Sequence, residues 1–92
     1  MLFKKFDFSL CYLNNFIYVI GGKTVQNGVV NTCERYCIKQ NKWESISPLN
    51  DKRYAATATQ VESGLIFVFG GRGDYQNEMV NSIEKYSVDE NK

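Results

Sequence analysis

Several short segments of this 92-residue chain have residue types and spacings that could do chemistry. Gly22-Lys23-Thr24 has the form of the end of a phosphate-cradling loop, in which backbone amides and a lysine hold a polyphosphate. Such a loop also needs a glycine five positions before Gly22, where this chain has Ile17, and a helix after it, where Val25-Gln26-Asn27-Gly28 reads as loop. Gly70-Gly71-Arg72-Gly73 lacks the further glycines and the following helix that a dinucleotide-binding turn requires. Arg72-Gly73-Asp74 spells a cell-adhesion tripeptide, but nothing in the sequence marks the chain as secreted. Cys33 and Cys37 invite a metal or redox reading. On a strand, four residues span about 13 Å, too far for a disulfide or one shared metal ion. These cysteines and Cys11 therefore read as small buried apolar residues. No catalytic residue, metal site or cofactor is expected.

Composition narrows the classes further. Histidine is absent, which removes the imidazole base of a triad and histidine-ligated metals. Lys+Arg number 11 and Asp+Glu 10, so no field of one sign favours nucleic acid or an anionic membrane as the main partner. Hydrophobic residues make up 43% and aromatics 14%, a composition that folds rather than stays disordered. Asp7, Asn14 and Asn15 interrupt the apolar N-terminal stretch, so it fails as a signal peptide. The longest uninterrupted apolar run is five residues, far below a bilayer-spanning length. A cytoplasmic protein of one small domain is expected.

The elements that position these residues emerge from an internal repeat. Phe16-Ile17-Tyr18-Val19-Ile20-Gly21-Gly22 recurs 49 residues later as Leu65-Ile66-Phe67-Val68-Phe69-Gly70-Gly71. The segment 31–42 recurs at an offset of 50 as 81–92, keeping Asn, Glu, Tyr, Asn and Lys. Extended backwards, the first offset pairs Lys4 with Arg53. Runs 16–20 and 65–69 read as strands, and their continuous apolarity predicts cover on both faces. Residues 4–12 and 53–61 read as weaker strands before them. Alternation over 32–38 and 82–88, and then over 42–46, completes a unit of four antiparallel strands in roughly 50 residues, the period of a propeller blade. Glu34 and Glu84 recur in equivalent places, which argues for structural pairing with a nearby Lys or Arg.

An apolar run, Gly21-Gly22, a spacer, Asn31, Tyr36 and Trp43 together resemble the kelch repeat. Gly70-Gly71, Asn81 and Tyr86 supply a second copy in register. The resemblance implies an all-β, kelch-type β-propeller fold, here about one and three-quarter four-stranded antiparallel blades. Residues 1–52 form one repeat with its linker, and 53–92 form a second that stops before its fourth strand. Each blade packs between two neighbours, so the expectation is a fragment of a larger propeller, a truncated product, or a piece that completes itself with further blades or copies. Copper-radical chemistry, which kelch propellers also support, needs histidine ligands.

Strand alternation puts the loops 23–30, 47–52 and 72–80 at one end of the sheets. These loops carry the candidate binding residues Lys23, Asn27, Arg72, Asp74, Tyr75 and Asn77. Arg53 precedes an inner strand, a place that the resemblance implies faces the ligand. The resemblance also implies a protein or peptide partner, with ubiquitin-ligase or cytoskeletal settings among the contexts. The alternatives are a segment of a propeller enzyme or a non-functional remnant.

Overall fold

The computed structural model describes residues 4–62, 64–74 and 78–92. Asn14 and Asn15 take left-handed backbone angles, φ 52° and 68°, as a two-residue hairpin turn with the twist of a sheet requires. They join β1 (Ser9–Leu13) to β2 (Phe16–Ile20). The small hairpin β3 (Lys23–Thr24) and β4 (Gly28–Val29) follows, then β5 (Cys33–Cys37) and β6 (Lys42–Ile46), joined through Asn41 at φ 52°. The first sheet has the antiparallel order β1-β2-β5-β6. In the second, β7 (Thr57–Glu62), β8 (Leu65–Phe69) and β9 (Ile83–Ser87) repeat the first three strands in the same order. Among the described residues the chain is all-β, and its sheets have the make-up of kelch-type propeller blades.

The strands expected over 16–20, 65–69 and 42–46 form with those bounds. The two innermost strands do not. They begin at Ser9 and Thr57 rather than at residues 4 and 53, because Asp7 and Ala55, each at φ 56°, break the extended chain. The Ala55 amide donates to the Asp7 carbonyl, tying the two breaks together at 2.9 Å. The backward pairing of Lys4 with Arg53 also fails. Phe6 bridges to Lys23 as Tyr54 bridges to Arg72, which makes Lys5 the counterpart of Arg53. The cause is a bulge between Gln60 and Glu62, which inserts one residue in β7 and shortens the offset before it to 48.

The two sheets stack face to face. Cys11, Leu13, Tyr18, Ile20 and Cys33 from the first meet Ile66 and Val68 from the second, with Ala56, Ala58, Tyr86 and Val88 around them. The Tyr18 and Tyr86 ring centroids lie 6.1 Å apart, a favourable tilted pair. Cover on both faces, expected for both apolar runs, is uneven. Tyr18, Val19 and Ile20 of β2 are all buried. In β8 only Ile66 and Val68 are, and Phe69 is 39% exposed on the face turned away from the first sheet.

Paired glycines fit this stacking. A Cβ on Gly22 would press on Phe6 and Phe8, and one on Gly71 on Tyr54 and Ala56, so in each unit the second glycine lets its own inner strand approach. A Cβ on Gly21 would lie 2.6 Å from the Arg53 carbonyl, part of the chain entering the second sheet.

A buried charge holds that entry. Arg53, 1% exposed, donates from Nη1 to the carbonyls of Gly70 (3.2 Å) and Ser82 (3.0 Å). Its Nη2 reaches the Ser82 hydroxyl at 2.6 Å and Glu84 Oε2 at 3.0 Å. Glu84 in turn accepts from the Asn50 and Asp51 amides, 2.6 and 3.0 Å away. In the first unit, Lys5 Nζ lies 3.9 Å from Glu34 Oε1 and donates to the Thr32 carbonyl. The recurring glutamates thus each face a buried cation.

Two substitutions test this account by urea denaturation. Ile66→Ala is expected to cost about 2–5 kcal/mol, while Val25→Ala, at a position 85% exposed, changes stability by less than about 0.5 kcal/mol. Arg53→Met strands Glu84 and is expected to cost about 3–5 kcal/mol. The double variant Arg53→Met/Glu84→Gln loses less than Arg53→Met alone, because no half-buried carboxylate is then left without its cation.

Candidate functional site

The loops expected to carry binding residues do come together. Leu49 donates its amide to the Asn31 carbonyl, and Asn31 Nδ2 donates to the Leu49 carbonyl, so the linker after β6 lies against the end of the β3–β4 connection. Gly22 donates to the Arg53 carbonyl at 2.9 Å, and Tyr54 and Arg72 exchange two backbone bonds. Lys23 Nζ sits 3.8 Å over the Tyr54 ring, a cation–π contact across the two units. Lys52 Nζ and Asp74 Oδ2 are 3.6 Å apart and both exposed, so their attraction is weak and can yield to a partner.

These segments surround an open depression of about 360 Å³ lined by Asn50, Asp51, Lys52, Asp74, Glu78 and Met79, among others. Its carboxylates outnumber its one lysine. Asp51 is anchored there, accepting from the Ser82 hydroxyl at 2.7 Å. Met79 is 58% exposed and offers a flexible apolar contact on the same surface.

Of the residues singled out from the sequence, Asn27, Arg72 and Asp74 are exposed at this end and Lys23 is half-buried. Arg53 lies beneath the surface with its guanidinium taken up by Gly70, Ser82 and Glu84, so it supports the linker instead of meeting solvent. Tyr75 and Asn77 lie outside the described residues. Sequence reasoning missed Lys5 and Asp51. The signal for Lys5 was the basic residue ahead of each first strand, concealed by the one-residue bulge.

Burial shifts Lys5, Cys11 and Cys33. Desolvation lowers the Lys5 pKa against the opposing pull of Glu34 and Cys33. It raises the thiols of Cys11 and Cys33, which keeps them as unreactive thiols. All three cysteines are free. Among the described residues no group of His, Cys, Asp or Glu side chains is placed to hold a metal ion, and no helix is long and apolar enough to cross a membrane.

The family profile described as Kelch motif matches residues 5–50, half of the chain. Kelch-like protein 23 of Homo sapiens is 33% identical over 88 residues, covering 94% of this chain and 14% of its own length. A kelch repeat-containing protein of Dictyostelium discoideum is 33% identical over 79 residues, covering 85% of this chain and 12% of its own length. Kelch-like protein 26 of Mus musculus is 33% identical over 78 residues, 80% of this chain and 12% of its own. The chain thus spans about one seventh or less of the length of these relatives. The paired glycines on a continuous apolar strand, the Tyr36–Trp43 pair across β5 and β6 and the matched profile have one origin: the chain belongs to the kelch motif family.

Proposed function

We propose that this chain forms part of a protein-interaction module, in which residues 1–52 and 53–92 are successive repeat units and the loops at one end hold a protein or peptide partner. The observation that carries this reading is the convergence of the 22–31, 47–54, 70–74 and 78–82 segments through backbone bonds, which leaves Asn27, Arg72 and Asp74 exposed over a buried frame. Arg72 and Asp74 give opposite charges on a short loop, and Met79 gives an adaptable apolar contact, a mixture suited to a polypeptide surface. Lys23 contributes from the first unit, and Tyr75 and Asn77, which follow Asp74 in the sequence, complete the proposed set. Arg53 acts from beneath, by fixing the linker on which Lys52 stands. The kelch-like relatives support a binding role over a catalytic one.

A displayed-peptide selection against the chain, followed by amide chemical-shift mapping of the best binder, tests this. Shifts are expected to concentrate at 23–30, 50–54, 72–74 and 78–80. The variant Arg72→Glu/Asp74→Arg is expected to weaken that binder about tenfold or more, near 1.4 kcal/mol, with the melting temperature unchanged. Shifts centred on the opposite turns, 38–41 and 88–91, or on β9 would overturn the assignment.

A further inference from the structure

Nine asparagines lie along the chain, and one of them, Asn27, is followed by glycine. The pair closes the tip of the β3–β4 hairpin, where Asn27 and Gly28 are both exposed and Gly28 takes a left-handed φ of 68°. A Cβ on Gly28 would meet no atom within 4 Å, so nothing crowds this stretch of backbone. Two residue pairs, Lys23 with Val29 and Thr24 with Gly28, join the strands. So short a ladder at a surface opens at little cost, and the tip can leave the angles of its turn.

The chemistry follows from what is adjacent. The carboxamide carbon of an asparagine, Cγ, lies within reach of the next residue's amide nitrogen, and their union closes a five-membered ring. A side chain on that next residue would screen the nitrogen, and glycine has none. The Gly28 nitrogen bonds to Asn27 Cγ and the Cγ–Nδ2 bond breaks. Nδ2 leaves as ammonia with the proton of the Gly28 amide. Water then opens the cyclic imide at one of its two carbonyl carbons. Opening at the main-chain carbonyl leaves isoaspartate, with the chain rerouted through Cβ and Cγ. Opening at Cγ leaves aspartate in an unchanged backbone. Water is the sole co-reactant, and nothing is oxidised or reduced.

The other asparagines of the described residues are less well placed. Asn31 donates its Nδ2 to the Leu49 carbonyl at 3.0 Å, and Asn41 and Asn91 accept from the Tyr36 and Tyr86 hydroxyls. Asn14, Asn15, Asn50 and Asn81 precede Asn15, Phe16, Asp51 and Ser82, each of which carries a side chain. At the hairpin tip the Asn27 amide donates to Thr24 Oγ1 at 3.0 Å, a bond that engages the backbone of Asn27 and not its carboxamide.

We infer that Asn27-Gly28 is a site of spontaneous deamidation, at which the folded chain turns a neutral residue of the loop end into a carboxylate. The change takes the formal net charge from +1 to zero. In the isoaspartyl product it also lengthens the hairpin tip by one main-chain carbon. The converted fraction grows with the age of the molecule. Asn27 is among the residues proposed to meet a partner, and an anion there disfavours an acidic one. The reaction itself does not rest on that reading.

The test incubates the folded 92-residue chain at neutral and at mildly alkaline pH. Native ion exchange follows the charge, and peptide mapping by mass spectrometry locates the change. One acidic species is expected, with one equivalent of ammonia released per converted chain and residue 27 present as aspartyl and isoaspartyl forms. It accumulates faster at the higher pH, because the Gly28 nitrogen attacks in its deprotonated form. A synthetic peptide of residues 23–30 sets the unrestrained rate, and the folded chain is expected to convert within about tenfold of it. Asn27→Gln removes the acidic species with the melting temperature unchanged, and Asn27→Asp elutes with the aspartyl product. Conversion far slower than in the peptide, an acidic species that maps to another asparagine, or one that persists in the Asn27→Gln chain would overturn the proposal.

Discussion

A sheet that is apolar on both faces has to be stacked, and this constraint governs the molecule. β2 shows the satisfied case. Tyr18, Val19 and Ile20 leave water completely, and removing each such side chain from solvent contributes about 1.5–3 kcal/mol. The stacked face even accommodates a hydroxyl, because Arg35 Nη1 reaches the Tyr18 oxygen at 3.3 Å while its guanidinium lies 4.1 Å from the Phe16 ring centroid. At the matching position of β8 the residue is Phe67, which asks for no hydrogen bond. The same strand type thus appears twice, once covered on both sides and once on one, and the difference in exposure follows from stacking, not from sequence.

Stacking alone leaves the approach of the linker undetermined, and the buried ions settle it. Arg53 has its own unit's strand end and loop as acceptors, through Gly70, Ser82 and Glu84, while Glu84 grips the linker amides of Asn50 and Asp51. Removing a guanidinium and a carboxylate from water is expensive, and the many directed bonds offset that loss. What they add is direction: the linker can enter the second sheet in one way. Glycine spacing fits the same logic. Gly21 lies against the Arg53 carbonyl, while its counterpart Gly70 has open space where a Cβ would be, because in the described residues nothing enters a further sheet beside it.

Most of this architecture was readable from the residues. Runs such as Phe16–Ile20 announce strands by composition, and Asn-Asn, Gly-Gly and Asn41 mark turns by the backbone angles they tolerate. Two things were not readable. The break at Ala55 is a left-handed alanine, which no propensity favours; it is held by a bond to Asp7, 48 residues away. The burial of Arg53 runs against the usual exposure of arginine, and its partners Gly70 and Ser82 are set by tertiary packing. The recurrence of Glu34 and Glu84 did announce pairing with a nearby Lys or Arg, because a carboxylate kept at the same place in each unit serves the unit. The candidate site was legible as loops, since loop placement follows from strand alternation, but the contacts that draw the loops together were not.

The repeat also separates residues that build from residues that can discriminate. Val30 and Val80 both donate to the carbonyl of their unit's second glycine, and Asn31, Glu34, Tyr36 and Asn41 recur as Asn81, Glu84, Tyr86 and Asn91. Positions kept in both units answer to a demand both units share, which is the sheet and its stacking. Between them the units diverge: the loop 23–30 stands where the second unit has 72–80, one residue longer, which moves the offset from 49 to 50. An insertion is tolerated at a loop tip because no ladder depends on it. A surface that must recognise one partner among many cannot be built from what every repeat has in common. What the two units do not share sits in the loops at this end, carried on a frame that the shared residues hold still.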